Sequence, residues 1–395
     1  MTMAVKAKVD GLVNVSQARG RSFRRGETLS APVAGASGSH LYYAAVKIGG
    51  FKVNLALDTA TSATWVQSAG CIYCFNVSVP NFKSSSFIPM AADHPICTAS
   101  AGLTPHPANN ACSYRFMNSE GIYGFDTFTF FTTSDWKQRH VSVPGLAFGV
   151  GVINNWIDTF YYDQSGGGNP IGGFLGLGRD QPSSILNQLS VRKFSYCLPK
   201  RFGDKALFYI GDSINANYTG PYVQTTPILG SNQNFYYLKL EAISINGTAL
   251  PIAQEVLSRN GQGIIIDCGS PYSSFVDGAY DMMHQAVKDY FKQIAGELPL
   301  ARTRSGYNLC YDLKRHKFLG GGRFSMEFQF LGGATLHLDE STTFQEFPDL
   351  NEVCFMLIRV QDLGVPNILG AFQQLNKRFV FDVASSMLSF SPDSC

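Results

Sequence analysis

Charge is in short supply here: Asp, Glu, Lys and Arg make up 15% of the 395 residues and sum to a formal +2. With no basic stripe and no interleaving of aromatic with basic residues, an electrostatic nucleic-acid binder is excluded. No apolar run is long enough to cross a bilayer as a helix, so no membrane span is expected. The His-Glu-x-x-His, Gly-x-Ser-x-Gly and Gly-x-x-x-x-Gly-Lys-Ser/Thr patterns are absent, and the seven histidines are scattered. Zinc-protease, serine-hydrolase and nucleotide readings therefore have no support. The N-terminus lacks a signal peptide's unbroken apolar stretch, because Lys6, Lys8 and Asp10 interrupt it. On its face that gives a cytosolic product.

What is plentiful points elsewhere. Apolar residues reach 45%, and 39 glycines, 18 tyrosines and 30 phenylalanines suit short strands joined by turns. The length is too great for one ordinary core and fits two lobes sharing a cleft. Nine cysteines, with sequons at Asn14, Asn76, Asn217 and Asn246, fit a disulfide-bonded glycoprotein whose leader is not in this sequence.

Residues 1–38 are rich in arginine and small side chains and read as a leader or pro-segment rather than core. The two lobes are then expected at 39–218 and 219–395. From His40 onward apolar and polar residues alternate around Gly49-Gly50, as in a β-hairpin, and a second alternating run ends at the turn pair Asn246-Gly247. The best helix spans 278–295, with Tyr280, Met283, Val287, Tyr290 and Ile294 on one face. Elsewhere strands dominate.

The most informative feature is a repeated local pattern. Val53–Thr61 and Gly263–Ser270 are each an apolar strand ending in Asp, then two small residues and a hydroxyl residue. Each is followed, at a distance, by an apolar-Gly element: Phe174-Leu175-Gly176 and Ile368-Leu369-Gly370. Two copies in the same order imply two related halves. Asp58 and Asp267, held rigidly at strand ends and brought face to face, could not both ionise cheaply and would share a proton. Such a pair can deprotonate a water and protonate a carbonyl oxygen or leaving amine, which is acid–base catalysis without a covalent intermediate or a cofactor. The hydroxyls of Thr61 and Ser270 are placed to bond the outer carboxylate oxygens. Thr59 is placed to bond across the join, opposite Cys268, a weaker partner, with Gly269 beside it.

These motifs resemble the pepsin-like aspartic proteases, in their plant nepenthesin-like branch. The similarity runs from about residue 39 to the C-terminus. It rests on Asp58-Thr59-Ala60-Thr61 with Trp65-Val66-Gln67, on Gly172–Arg179 with Ser183-Ser184, and on Phe194–Pro199, Leu309–Leu313 and Ile368–Asp382. The resemblance implies an all-β, bilobal fold with an interlobe cleft, and an endopeptidase with Asp58 and Asp267 as catalytic pair. Thr59, Thr61, Cys268, Gly269 and Ser270 would support them. It further implies a polypeptide substrate in the cleft, no cofactor and no metal, a monomer, and a secreted or vacuolar location. The alternative is a catalytically impaired homologue that binds a protein, as the related xylanase-inhibitor proteins do.

Three departures from the family pattern favour that alternative. Ala60 stands where the family has Gly, and Cys268 where it has Ser. The flap hairpin after Tyr114 is shorter by about five residues in the alignment of the motifs, its tyrosine among them. Tyr123 would replace that tyrosine only by a register shift. Cys268 is also the candidate for the unpaired cysteine, leaving the other eight for four bridges of open connectivity.

Overall fold

Alternating side chains make the strands, and pairs of residues that accept positive φ turn them. The computed structural model describes residues 21–22, 27–36, 39–116, 119–132, 139–154, 168–179, 181–201, 203–204, 206–212, 214, 220–230, 234–258, 263–295, 307–312, 324–361, 366–393 and 395. Leu41–Ile48 pairs antiparallel with Phe51–Asp58, Ile48 opposite Phe51. Between them Gly49 and Gly50 have φ of 55° and 86°, the conformation of a tight two-residue hairpin turn. Asn246 and Gly247 repeat it with φ of 46° and 77°, Ile245 lying opposite Thr248.

An antiparallel run of strands binds the halves together. Leu41–Ile48, Leu29–Ala36, Ala206–Ile210, Lys193–Cys197, Lys377–Asp382, Met387–Pro392 and Gln224–Leu229 lie side by side in that order. The strand Leu29–Ala36 corrects the expectation for residues 1–38. Leu29, Ala31, Val33 and Ala36 are buried, so the end of that segment is core rather than leader. Its small, uncharged composition looks like a linker's, yet small side chains also suit a strand packed between two others. Residues 1–20, with Asn14, lie outside the described residues, as do Asn217 and residues 133–138, 155–167 and 313–323.

Each half carries one copy of the same four-strand motif. In the first, Phe51–Asp58 runs parallel to Gly173–Gly176, which is antiparallel to Trp65–Gln67, itself parallel to part of Arg139–Asn154. In the second, Ile264–Ile266 runs parallel to Ile368–Leu369, which is antiparallel to Ser273–Val276, itself parallel to Leu357–Val360. The repeat read in the sequence is thus a repeat of topology, and the fold is all-β and bilobal.

One apolar core runs through both halves, and a smaller one gathers Trp65, Tyr114, Tyr123 and Phe174 in the first. Trp65 stacks on Phe174 at 5.4 Å between ring centroids, behind the first aspartate loop. The long helix is Asp277–Ala295, an acidic residue in its first turn and Lys292 in its last, matching the helix dipole. Tyr280, Met283, Val287 and Phe291 are its buried stripe. Tyr290 is half-buried beside them, and the side chain of Ile294 lies outside the description. No helix among the described residues is long and apolar enough to cross a membrane.

Four disulfides close the chain, Cys71–Cys74, Cys97–Cys112, Cys197–Cys395 and Cys310–Cys354, and Cys268 is the buried free thiol.

Candidate active site

Each aspartate ends an apolar strand whose backbone is fixed by the neighbouring motif. The Leu177 N–H donates to the Asp58 carbonyl at 2.8 Å, and the Asp267 N–H donates to the Leu369 carbonyl at 3.0 Å. The apolar-Gly strands need their glycines. A Cβ on Gly176 would stand 2.7 Å from the Ala63 backbone, and one on Gly370 would stand 2.2 Å from the Tyr272 backbone. Ala63 and Tyr272 occupy the same place after their respective aspartates, so the close approach is the same contact made twice.

A further matched pair was not singled out from the sequence. The Gly176 N–H donates to the Thr64 hydroxyl at 3.2 Å, and the Gly370 N–H to the Ser273 hydroxyl at 2.9 Å. Both hydroxyls are buried and pin the glycine strand beside the aspartate loop. The signal was present: each stands at one place in the repeat, three residues beyond Thr61 and Ser270.

The two loops meet at the join of the halves. The Thr59 hydroxyl donates to the Ile266 carbonyl at 3.0 Å and accepts from the Cys268 N–H at 3.2 Å. Gly269 lies against Asp58, and Asp58 is raised in part by the charge of Asp267, so the carboxyls are close enough to interact. Asp58 is 3% and Asp267 5% exposed. Burial, and then the Asp267 carboxylate, push Asp58 up to about 8, against the hydrogen bonds it accepts. Burial also raises Asp267, opposed by bonds from Ser270, Gly269, Ala60 and Thr59.

The hydrogen bonds to the pair differ from the symmetrical expectation. Asp58 Oδ1 accepts from the Ala60 and Thr61 N–H groups at 2.8 and 3.0 Å. Asp267 Oδ1 accepts from the Gly269 N–H at 2.8 Å, and its Oδ2 from the Ser270 hydroxyl at 2.6 Å. Ser270 thus makes the expected side-chain bond. Thr61 does not: it reaches Asp58 through its backbone, while its hydroxyl accepts from the Ala63 N–H at 3.4 Å. In that loop, the hydroxyl is taken up in closing the turn.

Cys268 is fully buried, and burial, then the carboxylates of Asp267 and Asp58, push its thiol well up. It stays a neutral packing group, not a nucleophile. Beneath it the Tyr196 hydroxyl donates to Gln374 Oε1 at 2.6 Å. Among the described residues the one cluster with metal-like donors, Cys310, Glu352 and Cys354, has both sulfurs in a disulfide and so offers no thiolate.

The hairpin in the flap position is short, Phe116 pairing with Ser119 across residues 117–118, which lie outside the description. It is also fastened. The Tyr114 and Ser119 hydroxyls bond at 2.8 Å, and Ser119 donates to Asn154 Oδ1 at 2.8 Å. Asn154 in turn donates to Gln67 Oε1 at 3.3 Å. Tyr123 is wholly buried in the core beneath, so the register shift that would bring it over the aspartates has not occurred.

The profile described as "Xylanase inhibitor N-terminal" matches residues 42–212, and that described as "Xylanase inhibitor C-terminal" matches residues 235–392. The chain is 31% identical over 356 residues to "Aspartic proteinase nepenthesin-1" of Nepenthes gracilis, covering 86% of this chain and 74% of that protein. It is 27% identical over 397 residues to "Aspartyl protease family protein 2" of Arabidopsis thaliana, covering 94% and 75%. Among solved structures, basic 7S globulin from soybean superposes with a TM-score of 0.70 at 19% identity, covering 93% and 97% of the two chains. The structure titled "edgp" gives 0.73 at 18%, covering 94% and 96%. At such identities the likeness of structure carries the fold alone.

Proposed function

Since the chain belongs to the pepsin-like aspartic protease family, in its nepenthesin-like branch, we propose that it is an endopeptidase that hydrolyses polypeptide with Asp58 and Asp267. The observation that carries this reading is the pair itself: two buried carboxyls, each accepting backbone N–H bonds, on matching loops that meet at the join. A pair that holds one proton between two charges has a base and an acid ready together. It takes a proton from water, gives one to the carbonyl oxygen, and then protonates the leaving nitrogen. The chain's own carboxyls supply all of this. Thr59 ties the loops, Ser270 orients Asp267, and Gly269 leaves room for Asp58. Four disulfides suit an oxidising compartment, and secretion or a vacuolar location is part of the proposal.

A second reading is a protein-binding homologue with little activity, acting on a glycosidase. It is favoured by the short, fastened hairpin, whose own tyrosines Tyr114 and Tyr123 are buried in the core, and by the descriptions of the two matching profiles.

Digestion of denatured casein from acid to neutral pH, comparing the native chain with Asp267→Asn, separates the two. Cleavage by the native chain alone supports the protease. Absence of cleavage by folded protein, with saturable binding to a xylanase, supports the second reading.

A further inference from the structure

Pseudo-symmetry would treat the two carboxyls alike, and the hydrogen bonds do not. Both donors to Asp58 converge on Oδ1, leaving its Oδ2 without a donor among the described residues. Asp267 has a donor on each oxygen, the Gly269 N–H at 2.8 Å and the Ser270 hydroxyl at 2.6 Å. A carboxylate with donors on both oxygens is stabilised as the anion, whereas an oxygen without a donor is where a proton sits at least cost.

The difference traces to one hydroxyl. Thr61 and Ser270 hold equivalent positions, yet Thr61 Oγ1 faces the Ala63 N–H while Ser270 Oγ faces the carboxylate. The next residues differ as well. Pro271 follows Ser270 and has no N–H to offer, while Ser62 after Thr61 is bonded to Asn234.

We propose that Ser270 is the positioning residue that keeps Asp267 ionised and so places the shared proton on Asp58, fixing which aspartate is base and which is acid. This rests on the protease reading above. In the first step Asp267 takes a proton from water as its oxygen bonds to the scissile carbon. The carbonyl π pair moves onto oxygen, which receives the proton of Asp58. In the second, Asp267 returns its proton to the amide nitrogen as the C–N bond breaks. Asp58 takes a proton from a hydroxyl of the diol, and both carboxyls are back in their starting states.

The titratable groups that face the pair do not reverse this assignment. Cys268 and Tyr196 lie beside Asp267, and burial pushes both well up, so each is neutral over the acid range.

The test is a carboxyl titration by NMR of the full chain carrying 13C-labelled aspartate, which needs no activity. The carboxyl left in Asp267→Asn, that of Asp58, is expected to titrate about one pH unit or more above that left in Asp58→Asn. In the Asp58→Asn background, Ser270→Ala should raise Asp267 by about one unit and Ser270→Thr should restore it. In active enzyme, Ser270→Ala should move the acid limb of kcat/KM upward by a similar amount. Asp267 titrating level with or above Asp58, or an Asp267 indifferent to Ser270→Ala, overturns the proposal. If Ser270→Ala fails to fold, the two Asn variants still decide it. A chain that titrates as expected but cleaves nothing overturns the protease reading and leaves the proton where it is placed here.

Discussion

Gly269 and Asp58 are in contact across the join: a Cβ on the glycine would lie 2.6 Å from the aspartate's carboxyl carbon. No real Cβ contact is that short, so Gly269→Ala must displace the carboxyl or the loop. The expected outcome is a fall in kcat of tenfold or more, with the thermal midpoint lowered by only a few degrees. At the equivalent place in the first loop the chain carries Ala60. Ala60→Gly should therefore raise kcat, and casein turnover by the two variants checks both directions.

Thr59 makes one arm of a reciprocal link, and Cys268 stands where the second would be. Thr59→Val removes both buried bonds and should cost about 1–3 kcal/mol. Cys268→Ser supplies a stronger donor at the same size and should raise the denaturant midpoint. Urea melts of the two variants measure the pair of effects.

Two buried groups give stability opposite pH dependences. Asp58 is raised from 3.8 to about 8, so its folded state holds the proton more tightly than the unfolded chain. That contribution is fully present below about pH 4 and is lost as pH rises toward 8. His40 is lowered from 6.5 to about 4, chiefly by burial. The unfolded chain takes up the proton first, so stability falls from pH 6.5 down to about 4, by about 3 kcal/mol. Asp58→Asn should thus raise the midpoint near pH 7, and His40→Gln should flatten the acid side. Midpoints taken from pH 3.5 to 8 test both.

Asn154 is the hub of the buried network under the short hairpin, bonded to Ser119, Gln67 and the Gly151 carbonyl. Asn154→Ala leaves buried partners unsatisfied and should cost about 2 kcal/mol. On the protease reading, in which this hairpin positions substrate, KM for casein should rise more than kcat falls. Urea melts and steady-state kinetics on one preparation check this.

The tight turns at Gly49-Gly50 and Asn246-Gly247, the helix stripe and both aspartate strands were legible because each depends on spacing within a few residues. The same local repetition carried Thr64 and Ser273 in plain view, but nothing in a hydroxyl's identity says which N–H it will meet. Leu29–Ala36 is hidden in the sequence for a related reason. A strand in which five of the eight residues are alanine, serine or glycine has no strong alternation, and it is made by its neighbours, Leu41–Ile48 and Ala206–Ile210.

The sequence by itself determined that two strand–Asp–turn units exist, that they are related, and that one cysteine is left without a partner. Those follow from period, order and number. Only the tertiary structure decided which cysteines pair, that the early strand belongs to the core, and that Ser270 faces its carboxylate while Thr61 turns from its own. These depend on groups far apart in the chain arriving within a few ångströms, where one rotamer changes which atom carries a proton.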